Sequence, residues 1–187
     1  MAGEPWTEYP SNVHPTLCAV GRAVDDHTSA SGRAGLLPLA PAMVGTAHAG
    51  FETSARLVAL CVSTALASTD RQRLTAEEDN RLARARDLAS YTLRRCAGVE
   101  PSPADEADHP TGRLRGSAAW WFPILDLVGL SERFYRHFVA PRHATAAVEV
   151  TAHGAAVTDR DRRLRQLLRL CVGVCPATEK GNSDLEI

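Results

Sequence analysis

Arg113 to Pro141, RLRGSAAWWFPILDLVGLSERFYRHFVAP, is the stretch from which the fold is read. Trp120, Trp121, Phe122, Phe134, Tyr135 and Phe138 all fall in it, in a chain with only 5% aromatic residues. A buried ring removes a large apolar area from water, so this segment is expected at the middle of the core. Pro123 disfavours helical geometry at Phe122 and lacks a donor, so a helix should kink or restart there. Beyond it Ile124, Leu127, Val128, Phe134 and Phe138 recur at roughly helical spacing, with Leu130 and Tyr135 at the margins. Gly129 and Ser131 divide the pattern into two short helices, and Pro141 is expected to end the second.

Outward from this segment the pattern stays helical. Arg142 to Val157 reads as an Ala/Val-rich helix, and Thr158 with Asp161 offers an N-terminal box for the next. That helix carries the stripe Leu164, Leu167, Leu168, Cys171 and Val174 until Pro176 stops it. A polar tail, read as disordered, covers 177–187. On the other side, VEPSPADEADHPTG (Val99 to Gly112) is a polar, proline-rich loop, read as mobile. Before it, Thr75 and Glu78 match a capping box. Leu82, Ala85, Leu88, Ala89, Leu93 and Cys96 give the buried stripe that follows, and Gly98 stands where a C-terminal cap belongs. Val44, Ala47, Phe51, Val58, Cys61 and Ala65 predict one long helix from Ala42 to Ser68, weakened in its first half by Gly45 and Gly50. A short helix is expected over Thr16 to Val24, after a proline-rich extended arm at 1–15. With no strand alternation and no tandem repeat, the expectation is an all-α, irregular single-domain bundle of about five to seven helices over 16–176.

The 187 residues suffice for one domain with its own core. A formal net charge of −1 speaks against a dedicated polyanion binder, though not against a local basic patch. Five scattered cysteines, Cys18, Cys61, Cys96, Cys171 and Cys175, do not resemble a secreted disulfide framework. On a helix Cys171 and Cys175 share a face and read as small buried hydrophobes. No signal-peptide pattern opens the chain and no apolar run could span a bilayer, so a cytoplasmic location and no membrane partner are expected. Lys180 is the single lysine against many arginines and alanines, a bias that points to a high-GC, actinomycete-type genome.

Functional signals are sparse. The adjacent Trp120 and Trp121 point in different directions, which leaves one ring to line a pocket or partner surface with Phe122 and Phe134. His48 with Glu52, and Glu149 with His153, are spaced to share helix faces. Two such faces could converge on Zn, Mn or Fe. His137 and His143 lie among Arg133, Arg136 and Arg142 as candidate proton carriers. Arg162, Arg165 and Arg169 line one helix face, which on a near-neutral chain reads as solvated rather than as a nucleic-acid surface.

Two resemblances accompany these residues. Arg136 and His143 are similar to the Arg-x4–6-His motif of HEPN-type ribonucleases, which implies Arg136 against a phosphate and His143 near the attacked 2′-hydroxyl. Pro141 falls inside the spacing, where it is expected to break the helix that the motif needs. LRGSAAWWFP (Leu114 to Pro123) and RRLRQLLRLC (Arg162 to Cys171) resemble an uncharacterised family of short helical proteins from Streptomyces-type actinomycetes, which implies a fold class and a source but no activity. The leading expectation is a helical module that binds a protein partner or an apolar small molecule through Trp120, Trp121, Phe122 and Phe134. An exposed aromatic face would also let copies of the chain associate. The alternatives are a small helical enzyme with a His48/Glu52/Glu149/His153 metal site and His137 or His143 as proton carrier, and a HEPN-like ribonuclease or nucleic-acid binder using Arg136 and His143. No cofactor is indicated.

Overall fold

The computed structural model describes residues 10–68, 73–99 and 131–175. Pro15 opens the first helix, α1 (Pro15–His27), in the first turn, where a backbone N–H has no intrahelical partner to lose. Its buried face is Leu17, Val20, Ala23 and Val24, at three- and four-residue steps. Ser29 then caps α2 (Ala30–Arg33), its hydroxyl accepting from the Gly32 N–H at 3.1 Å.

The long helix expected over Ala42–Ser68 is broken into pieces. A 3-10 turn (Leu37–Leu39) leads into α3 (Ala40–Met43), a second 3-10 turn follows (Thr46–His48), and α4 (Phe51–Ser68) begins only after Gly50. Gly45 has φ 85°, a left-handed conformation that side chains rarely adopt, and its N–H bonds back to the Asn12 carbonyl at 2.9 Å. The chain turns there instead of continuing. Past Gly50 the expected apolar face is intact, with Leu57, Val58, Cys61, Val62 and Ala65 buried.

Helix α5 (Ala76–Cys96) has the predicted start and stop. Thr75 N–H donates to Glu78 Oε2 at 2.9 Å, and the Glu78 N–H donates to Thr75 Oγ1 at 3.2 Å. These bonds from Thr75 hold the Glu78 carboxyl below its ordinary range. At the other end Gly98 (φ 69°) closes a Schellman turn, Val99 N–H bonding to the Arg94 carbonyl and Gly98 N–H to that of Arg95. Cys96, expected in the buried stripe, is exposed. Thr75→Ala should lower stability by about 1 kcal/mol. The check is a downward Tm shift of about 2–4 °C; an unchanged Tm would mean that this cap contributes nothing.

Pro141 does not end its helix. Helix α6 (Ser131–Phe134) runs through a π-helical turn (Tyr135–Val139) into α7 (Ala140–Gly154) without interruption. A proline inside a helix lacks one N–H, and its ring collides with the carbonyl four residues back. Here the backbone widens just before it, with Ala140 N–H reaching the Tyr135 carbonyl five residues earlier, and the helix carries on. Widened turns of this kind are often found at functional sites. Tyr135 is fully buried, whereas Phe134 and Phe138 are 38% and 66% exposed, so this part of the aromatic segment divides between core and surface. Leu114–Leu130, with Trp120 and Trp121, lies outside the described residues.

Helix α8 (Val157–Val174) starts without the side-chain cap expected from Thr158 and Asp161. Asp161 is used elsewhere: it accepts the Ser29 N–H at 3.0 Å and, through its other oxygen, the Ser29 hydroxyl, fastening α8 to the start of α2. Those bonds hold the Asp161 carboxyl below its ordinary range.

Helices α4 and α7 are the central pair. Helix α1 leans mainly on α7, α5 mainly on α4, and α8 packs against α4, α1 and α7. One apolar core runs through all five, from Leu17 and Leu57 to Leu82, Val148 and Leu164. The result is an all-α, single-domain bundle, with no strand among the described residues. No helix among them is long and apolar enough to cross a membrane.

Candidate functional site

The broken entry to α4 and the widened turn before α7 face each other across the N-terminal end of α1. Between them lies a pocket of about 540 Å³. The segment before α1 contributes Pro10, Ser11 and Val13, and α1 contributes Cys18 and Arg22. Ala47 comes from the second 3-10 turn, Arg136, His137 and Phe138 from the π-turn, and Pro141, Arg142 and Thr145 from α7. Three guanidinium groups and one imidazole therefore line the pocket, and no carboxylate is among its described lining residues.

Each cation is placed by the local fold. Arg136 donates from Nη2 to the Ala47 carbonyl, tying the π-turn to the 3-10 turn. Its Nε is buried and has no hydrogen-bond partner. Arg22 sits one helical turn after Cys18. Burial pushes the Cys18 thiol up, and the Arg22 charge and its hydrogen bond offset part of that rise. His137 is exposed, and partial desolvation with the charges of Arg136 and Arg133 holds its imidazole below the ordinary histidine value. Phe138 forms an aromatic lip by stacking on Phe134, with ring centroids 5.5 Å apart and planes 30° from parallel.

Behind this wall lies a polar pin. His14, the residue before α1, is fully buried. Its backbone N–H donates to Thr46 Oγ1 at 3.0 Å, and its Nε2 meets Ser54 Oγ at 3.2 Å. Thr46 in turn donates to the Met43 carbonyl at 2.6 Å. Burial lowers the His14 pKa to about 4; the Arg136 charge adds to the shift, and contact with the Gly50 backbone offsets part of it. The pin holds the start of α1, the 3-10 turn and α4 together behind the arginines.

No family model matches the chain, and no curated protein or solved structure matches it either.

Of the residues singled out from sequence, Arg136 and His137 lie in the pocket wall. Phe134 is the outer ring of the aromatic lip, and Trp120, Trp121 and Phe122 lie outside the described residues. His143 is half-buried and does not line the pocket. Its imidazole is held below the ordinary value by burial, then by Arg142 and by Arg84 of α5. His48 is exposed in the 3-10 turn, while Glu52 lies in the first turn of α4 and bonds Arg56 at 2.5 Å. Glu149 and His153 do share α7, where the exposed His153 ring meets the edge of His27 at 5.5 Å. Among the described residues no group of three or more His, Cys, Asp or Glu side chains is placed to hold a metal ion. Arg22 and His14 carried no sequence signal, because only the folded chain brings α1 against the π-turn.

Proposed function

We propose that the chain is a helical ligand-binding module whose pocket takes a small organic anion, its acidic group on the arginines and its apolar part against Val13, Pro141 and Phe138. One observation carries this reading: Arg136, His137 and Arg142 gather on one wall of a single pocket, and no carboxylate is among its described lining residues. Clustered cations repel each other, and a bound anion relieves that cost. The buried Arg136 Nε lacks a partner, and a buried donor left unsatisfied is costly until something accepts from it. Guanidinium groups suit carboxylate and phosphate oxygens through paired, charge-assisted hydrogen bonds. The remaining lining is largely apolar, as in most small-molecule sites.

The test is calorimetric titration with octanoate and octyl phosphate against octanol. Both anions should bind, octanol should not, and rising salt should weaken the binding. Arg136→Gln with Arg142→Gln should reduce affinity by at least about tenfold, the effect of losing one charge-assisted hydrogen bond. Octanol binding as well as octanoate would overturn the reading, and so would a double variant that binds like the parent.

A further inference from the structure

We infer that Cys61 and Cys171 are a modification site, a thiol pair that a peroxide converts to a disulfide joining α4 to α8. Their Sγ atoms lie 3.9 Å apart, although the residues are 110 positions apart in sequence. Both side chains are fully buried. A disulfide needs an S–S separation of about 2.05 Å, a closure that side-chain rotation and a small helix shift supply.

The pairing does not rest on one contact. Arg163 Nη1 of α8 donates to the carbonyl of Ser68, the last residue of α4, at 2.9 Å. Two turns back along α4 stands Cys61, and two turns on along α8 stands Cys171. The two contacts thus share one antiparallel register, and the register sets the two sulfurs opposite each other. The Asp161–Ser29 bonds and the Arg163–Ser68 bond tie down only the first turns of α8. A bond at Cys171 would clamp its other half.

The chemistry balances with hydrogen peroxide as oxidant. One thiol takes an oxygen from the peroxide to give a sulfenic acid and water. The second thiol displaces that oxygen as a second water, and the S–S bond forms. The Cys61 hydrogen bond and burial keep the Cys171 thiol protonated well above its ordinary value, so conversion is slow and depends on local opening. Cys175, one turn further, is pushed up to about 12 by burial and by the neighbouring Cys171. It is the internal competitor.

The experiment treats the full chain with hydrogen peroxide at low protein concentration, in a Cys96→Ser background that removes the exposed thiol. The treated protein should lose the mass of two hydrogens and two titratable thiols. Proteolytic mapping should give a single cross-linked peptide pair containing Cys61 and Cys171. Its Tm should rise by about 5–15 °C, reversibly with dithiothreitol. The unmutated chain gives the same map if Cys96 plays no part, so the result does not hang on one variant. The inference is overturned if all thiols persist, if Cys61 or Cys171 ends as sulfinic or sulfonic acid, or if the bond joins a different pair.

Discussion

Tyr135→Ala should destabilise the bundle by about 3–5 kcal/mol, the usual cost of emptying a buried aromatic site. The Tyr135 ring is fully buried at the widest point of the helix, where the backbone has already spread to accommodate Pro141. It meets the ring of Phe51 edge-to-face, with centroids 5.2 Å apart and planes at 76°, so the π-turn is fastened directly to the first turn of α4. Pairs of this geometry add about 0.5–1.5 kcal/mol beyond the area they bury. Burial pushes the Tyr135 phenol far above its ordinary value, with the nearby Thr92 side chain offsetting part of the rise. Tyr135→Phe keeps the ring and removes only the hydroxyl, and should cost no more than about 1.5 kcal/mol. Urea unfolding of the two variants separates the contributions. If Tyr135→Ala falls within about 1 kcal/mol of the parent, the ring does not anchor the π-turn. Because Arg136 and His137 follow it directly in the chain, Tyr135→Ala should also loosen the pocket wall, while Tyr135→Phe should bind ligand as the parent does.

The same residues explain how much of this fold could be read in advance. Signals that act within a few residues were legible: the Thr75–Glu78 box, the Gly98 stop and, Cys96 apart, the apolar faces of α5, α8 and the part of α4 beyond Gly50 stand where the spacing put them. Signals that compete with tertiary contacts were not. Thr158 and Asp161 have the spacing of an N-terminal box, but Asp161 finds two donors on Ser29, 132 positions away in sequence. Pro141 obeys the rule that proline disrupts a helix, yet the disruption takes the form of a wider turn, since Tyr135 and Val139 remain buried on either flank of it. In the sequence Gly45 reads as a small loss of helix propensity, whereas its left-handed φ and its bond to Asn12 make it a turn.

The candidate site was legible only in part, for a similar reason. Arg136, His137 and Arg142 stood out as basic residues close in sequence, and the π-turn gathers them on one wall. Arg22 is solitary in its own segment and joins them only because α1 packs on α7. His48 and Glu52 looked like a helical pair because the break at Gly50 was not visible in the periodicity. The thiols of Cys61 and Cys171 lie 110 positions apart in the chain, and no spacing rule could pair them.

Stability should fall as pH drops from about 6.5 to about 4, and His14 should account for most of the loss. In the unfolded chain an ordinary histidine takes up its proton near pH 6.5, whereas in the fold His14 resists until about 4. Between those values the unfolded state binds the extra proton, so unfolding is favoured as acid is added. The contribution is complete above about pH 6.5, is lost progressively down to about pH 4, and amounts to about 3 kcal/mol over the window. Burial is the main cause, and the nearby Arg136 charge works in the same direction. His143 and His137, both also lowered, add to the slope with the same sign. The Asp161 and Glu78 carboxyls are held below their ordinary values, so their contributions fade from about pH 5 downward and overlap only the acid end of the histidine window. In His14→Gln the side-chain amide can still bond Ser54 but cannot take up a proton, so the curve of urea midpoint against pH should flatten between about 6.5 and 4. A curve parallel to that of the parent would show that another group unfolds the protein in acid. An anion seated on Arg136 would screen the charge that helps to hold His14 neutral, raising its pKa and reducing the acid loss. Saturating octanoate or octyl phosphate should therefore reduce the slope in the parent more than in His14→Gln, which links the buried pin to the pocket in a single measurement.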